Sequence, residues 1–134
     1  MKNSVVIGSY SLALAIVLGA FGAHGLKSMV SIYALDVFNK AVYYQVIHSI
    51  GLLFSALLLK SEKSLKTLRI LFLTGMIGFS GSLYILTFAD FLSPSMKQVV
   101  GPITPIGGIF FVMAWVYLAI AARKELINWD WGEQ

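Results

Sequence analysis

Four stretches of about twenty residues each, nearly all apolar, occupy most of this 134-residue chain. They fall near residues 5–25, 41–59, 67–89 and 102–122. A helix rises 1.5 Å per residue, so each stretch is long enough to cross the roughly 30 Å hydrocarbon core of a bilayer. Lipid offers backbone N–H and C=O groups no partners, and a helix satisfies them internally. Composition agrees, with 58% apolar residues and only 12% charged, about half the charged share of a soluble domain. The expected fold is all-α, an integral membrane four-helix bundle forming a single transmembrane domain over residues 1–134. Little chain remains for a soluble catalytic domain.

The ends of the runs carry the remaining structural information. The first run follows Lys2 and contains no charge. A secretory signal peptide is its rival reading, with Ala20, Phe21 and Gly22 resembling a cleavage site. The run exceeds the 7–15 residues of a typical signal core, which favours a true span. Residues 28–40 are less apolar, with Met29, Ile32, Tyr33 and Phe38 at helical spacing around Asp36. They read either as an interfacial amphipathic helix or as the start of one continuous second helix. Residues 60–69 hold Lys60, Glu62, Lys63, Lys66 and Arg69, which separate the second and third runs. A loop with Asp90, Pro94, Lys97 and Gly101 precedes the fourth. Trp129 and Trp131 in the tail suit the headgroup layer.

Basic residues set the expected orientation. Lys2, Lys60, Lys63, Lys66, Arg69, Arg123 and Lys124 fall on one side, and Lys27, Lys40 and Lys97 on the other. That asymmetry places both termini in the cytoplasm of a multi-pass cell-membrane protein. The same topology explains the net charge of +4, and no basic patch interleaved with aromatics points to nucleic acid. With no cysteine, the chain has no disulfide, thiolate metal site or cysteine nucleophile. No phosphate loop, dinucleotide fingerprint or zinc-protease motif is present. No carboxylate lies within a span, and no Ser/His/Asp triad can be assembled there, so no catalytic residue, metal or cofactor is assigned.

Helices associate in lipid through close backbone approach and interhelical hydrogen bonds. Ser11, Ala15, Gly19 and Ala23, spaced by four, form a small-residue strip on the first span. Thr74 and Gly78 start a similar strip on the third, and Gly107 and Gly108 let a neighbour approach the fourth. These strips serve bundle packing or contacts to another subunit; the sequence does not separate the two.

Polar side chains cluster towards the outer ends of the spans under this topology. His24 ends the first span, Gln45 and His48 lie in the second, Ser80, Ser82 and Tyr84 in the third, and Thr104 opens the fourth. Together they form a candidate polar pocket. Histidine within a span is costly, which marks His48 as informative. It reads either as a neutral imidazole locking helices together or as a group handling protons or a small ligand. Two histidines are a weak metal signal, because zinc prefers four ligands. Pro102 suits a first helical turn, and Thr104 is placed to cap the N–H groups that follow. That helix start is either ordinary packing or an anion or headgroup site.

Four segments carry a family resemblance: residues 19–26 (GAFGAHGL), 43–53 (YYQVIHSIGLL), 79–86 (FSGSLYIL) and 101–108 (GPITPIGG). In this order they resemble the YwdK-like family, small bacterial membrane proteins classified as a domain of unknown function, with a small vertebrate transmembrane relative. The resemblance touches all four spans. It implies a compact four-span membrane protein and transfers no activity. The family motifs fall on His24, Gln45, His48, Ser80, Ser82 and Thr104.

Three functions remain open from sequence. The favoured one is a non-catalytic membrane protein engaging lipid, another membrane protein or a copy of itself. The second is a transporter or small-ligand or ion-binding subunit using the polar pocket. The third is a membrane enzyme with a histidine base, for which the nucleophile and carboxylate are missing.

Overall fold

A computed structural model describes residues 1–91 and 93–127. Trp129 and Trp131, expected in the headgroup layer, lie outside the described residues. The first span is helix α1 (Lys2–His24), followed by a single 3-10 turn at Leu26–Ser28. The second is α2 (Ile32–Leu58). The third begins as α3 (Glu62–Gly75), passes through a π-helical turn (Met76–Gly81) and ends as α4 (Ser82–Thr87). After a 3-10 turn at Ala89–Phe91 comes the short α5 (Pro94–Val100), then α6 (Ile103–Ile127). Four segments are long and apolar enough to cross a membrane: Lys2–Ser28, Ile32–Leu58, Glu62–Thr87 and Pro94–Glu125.

Serines set three of the helix starts. Ser31, Ser61 and Ser93 accept hydrogen bonds from the backbone N–H groups of Ala34, Ser64 and Met96, at 3.2, 3.3 and 3.4 Å. Each satisfies one of the donors that a helix leaves unpaired at its first turn. Ser31 thereby starts α2 as one helix of 27 residues. Residues 32–40 continue straight into the second span and do not form a separate interfacial helix. Where the sequence suggested only a loop after the third span, Ser93 and Pro94 start α5, and Gly101 ends it.

The four spans form an open arrangement. α1 rests chiefly on α2, α6 rests chiefly on the third span, and α2 against the third span joins the pairs. α2 and α6 touch much less. An apolar core fills the end near the α2–α3 turn, where Leu52, Leu59, Leu65, Leu68, Phe72 and Leu118 are buried together. A polar collar closes that end. Glu62 pairs with the Met1 amine and, at 2.8 Å, with Arg69, which also donates to Ser4 Oγ at 3.1 Å. Glu125 of α6 accepts from the backbone N–H of Lys60 at 2.6 Å and of Ser61 at 3.3 Å.

The small-residue strips lie partly elsewhere than spacing by four implies. The buried residues of α1 are Ser4, Gly8, Ala15 and Gly22, with Ser11 and Gly19 half-buried beside them. Ala23 is exposed. Four residues turn a helix by about 400°, so a strict spacing of four drifts by roughly 40° per step and leaves the contact face. The third span and α6 meet at glycines. A Cβ on Gly107 would collide with the backbone of Gly78 and Phe79, and one on Gly78 would lie 3.0 Å from Gly107 Cα. Thr74 lies half-buried one turn away. Gly108 has ordinary room, with Phe79 3.6 Å from its would-be Cβ.

Candidate functional site

The polar residues singled out in the sequence separate into three groups. The first group ties α1, α2 and α4. Gln45 Nε2 donates to the Ser11 carbonyl at 2.9 Å, and Tyr84 OH donates to Gln45 Oε1 at 2.8 Å. The Oγ of Ser49, a residue the sequence reading passed over, lies 2.7 Å from both Ser11 Oγ and the Gln45 carbonyl oxygen, with its single proton shared between them. Both ends of the Gln45 amide are thus engaged, as a buried amide in lipid requires. The second group is a pair: Ser82 and Thr104 hydroxyls lie 2.6 Å apart and bridge α4 to α6. Thr104 therefore spends its side chain across the helix interface, and the expected cap on the α6 N–H groups is not what the structure has.

His48 forms the third group. Its Nδ1 lies 2.6 Å from the Tyr44 carbonyl. A carbonyl only accepts, so Nδ1 carries the proton in that contact, and a neutral ring leaves Nε2 as an acceptor. The ring stacks on Phe111 with centroids 3.3 Å apart and an interplanar angle of 6°. Phe111 in turn fills the notch left by Gly75. Two residues of the expected cluster stand apart. His24 is exposed at the end of α1, and its side chain makes no hydrogen bond to another described residue. Ser80 is buried in the π turn, and among the described residues its Oγ is a buried side-chain polar atom without a hydrogen-bond partner.

Where α2 and α6 touch little, a groove of about 880 Å³ lies between them. Its lining includes Tyr43, Tyr44, His48, Phe79, Phe111 and Trp115. Ile109, Val112 and Val116 of α6 line it too and are exposed, at 58%, 64% and 55%. No Asp, Glu, Lys or Arg is among the lining residues. The volume is on the scale of small-molecule sites, about 300–1,000 Å³. The sequence reading found His48 but not the aromatic residues around it. Aromatics in an apolar span are common at lipid-facing positions, so their type alone does not reveal a shared cavity. Among the described residues no cluster of three or more His, Asp or Glu side chains is arranged to hold a metal ion.

Four apolar helices, a bundle tied by internal hydrogen bonds and a lateral groove define a small multi-pass membrane protein of α-helical class. The chain belongs to the family described as Protein of unknown function (DUF423), whose model matches residues 18–108. It is 38% identical to UPF0382 membrane protein YwdK of Bacillus subtilis (strain 168) over 129 residues, covering 94% of this chain and 100% of that one. It is also 38% identical to UPF0382 membrane protein SAB0533 of Staphylococcus aureus (strain bovine RF122 / ET3-1) over 125 residues, 92% of this chain and 98% of that one. A Staphylococcus saprophyticus relative, UPF0382 membrane protein SSP2132, is 36% identical over 125 residues, 92% of this chain and 99% of the other. No solved structure matches the chain.

Proposed function

We propose that this is a non-catalytic cell-membrane protein that holds a lipid-phase molecule in the groove between α2 and α6, with both termini in the cytoplasm. The observation that carries the reading is the groove itself. It is aromatic-lined, open between two spans, and free of charged lining residues. The polar groups expected to form one pocket support a binding role more than a catalytic one. Gln45, Tyr84, Ser82 and Thr104 are paired with one another or with nearby backbone and serve helix association. His48 is oriented by a backbone carbonyl, with no carboxylate lining the same groove. A permeation path has less support, since the end near the α2–α3 turn is filled by apolar side chains.

Native mass spectrometry of the protein released from nanodiscs tests the reading. The unmodified protein is expected to retain a lipid-phase adduct, and Gly108→Leu, which fills the groove, is expected to lose it. Equal adduct retention by both proteins, with the variant folded, would overturn the proposal.

A further inference from the structure

We infer that the molecule taken by the groove is a neutral lipid whose polar end is a hydroxyl, donated to Nε2 of His48. The inference rests on the groove reading above and adds the chemistry of its occupant. His48 is 96% buried by its 4% exposure, yet its ring lines the groove. Nδ1–H is committed to the Tyr44 carbonyl, which turns Nε2 into an acceptor with no partner among the described residues. Nε2 also differs from Ser80 Oγ, which is sealed inside the protein, because it is not among the fully buried unpaired atoms. An acceptor left unpaired in apolar surroundings is costly. Lipid tails cannot supply a donor, whereas a hydroxyl on a lipid-phase molecule can.

The rest of the groove narrows the class. Without a charged lining residue, an anionic or cationic head would enter uncompensated, so the occupant is neutral. His48 is also deep. It lies roughly 24 Å along α2 from Ile32 and about 15 Å from Leu58. A phospholipid headgroup would have to leave the interface to reach it, while a single hydroxyl on an apolar body would not. Tyr44, Phe79, Phe111 and Trp115 supply faces for that body. Trp115 lines the groove with its ring centroid 6.1 Å from that of His48. A transmembrane helix of another chain fits less well. The α2 wall spans only Tyr43 to His48, about 8 Å of helix, a short contact beside the roughly 30 Å that a spanning helix traverses.

The test uses the full chain in nanodiscs and two photoreactive probes at equal mole fraction: hexadecanol with a mid-chain diazirine, and the methyl ether of the same compound. Labelling is read by mass spectrometry on α6. The alcohol is expected to label Ile109 and Val112 roughly tenfold more than the ether, the ratio that one hydrogen bond of about 1.4 kcal/mol gives. In His48→Phe the alcohol should fall to the level of the ether, and ether labelling above that at Ile16, exposed on α1 away from the groove, shows that the variant still forms the groove. Equal labelling by both probes in the unmodified protein would overturn the hydroxyl assignment and leave the groove reading standing. Labelling by neither probe would overturn both.

Discussion

Gln45 shows how much one side chain can settle inside a bilayer. Its amide reaches the Ser11 carbonyl on one helix and the Tyr84 hydroxyl on another, so three helices are fixed by one residue. Hydrogen bonds of this kind in membrane proteins average about 0.6 kcal/mol by double-mutant cycles, with a maximum near 1.7. Tyr84→Phe is therefore expected to cost about 0.6–1.7 kcal/mol, and a cycle with Gln45→Leu should return a coupling of the same size. Unfolding in mixed micelles measures both, and a coupling of zero would mean that the pair does not hold the helices. Gln45 and Tyr84 could be read from the sequence as polar residues in apolar spans. Which of them would pair could not, because hydrogen-bond geometry depends on helix rotation. His24 illustrates the opposite case: a polar residue at a span's end needs no partner, since it is exposed there.

At the scale of the element, the π turn and α6 meet backbone to backbone. The Gly78–Gly107 contact leaves no space for a methyl group on Gly107, while Gly108 beside it has room. Overpacking a tight contact costs about 1–3 kcal/mol. Gly107→Ala should lose about that much stability, and Gly108→Ala should change it by no more than about 0.5 kcal/mol. Thermal unfolding in detergent distinguishes them, and equal midpoints would show that the contact is not tight. Both glycines were visible as small residues at the start of the fourth span, and hydropathy gave the four spans and their approximate ends. What periodicity alone missed was the contact face of α1. Ser11 and Ala15 lie on or beside it, but the fixed spacing of four carries Ala23 off it and passes over the buried Gly22. The π turn also escaped, because its six residues (MIGFSG) differ little in type from an ordinary α segment.

For the whole molecule, the asymmetry of basic residues makes a topological prediction. The absence of native cysteine makes it simple to check. Lys63→Cys, in the first turn of α3, is expected to react with an impermeant maleimide only after the cells are opened. Ser95→Cys, on α5, should react in intact cells. Both positions are exposed, so failure to label would not be a matter of burial. The reverse pattern would invert the molecule and place both termini outside.

The groove opens sideways, between two helices, with Ile109, Val112 and Val116 at its mouth. Traffic into it is therefore two-dimensional. On the proposed function, an occupant would arrive by diffusing within a leaflet, and its occupancy would follow the mole fraction in the surrounding membrane, not a concentration in the aqueous phase. Extraction into excess detergent dilutes that solvent and strips the site. If the groove is occupied as proposed, purification by the usual route would deliver the protein empty, and only a patch of native bilayer carried along with it would keep the proposed occupant in place.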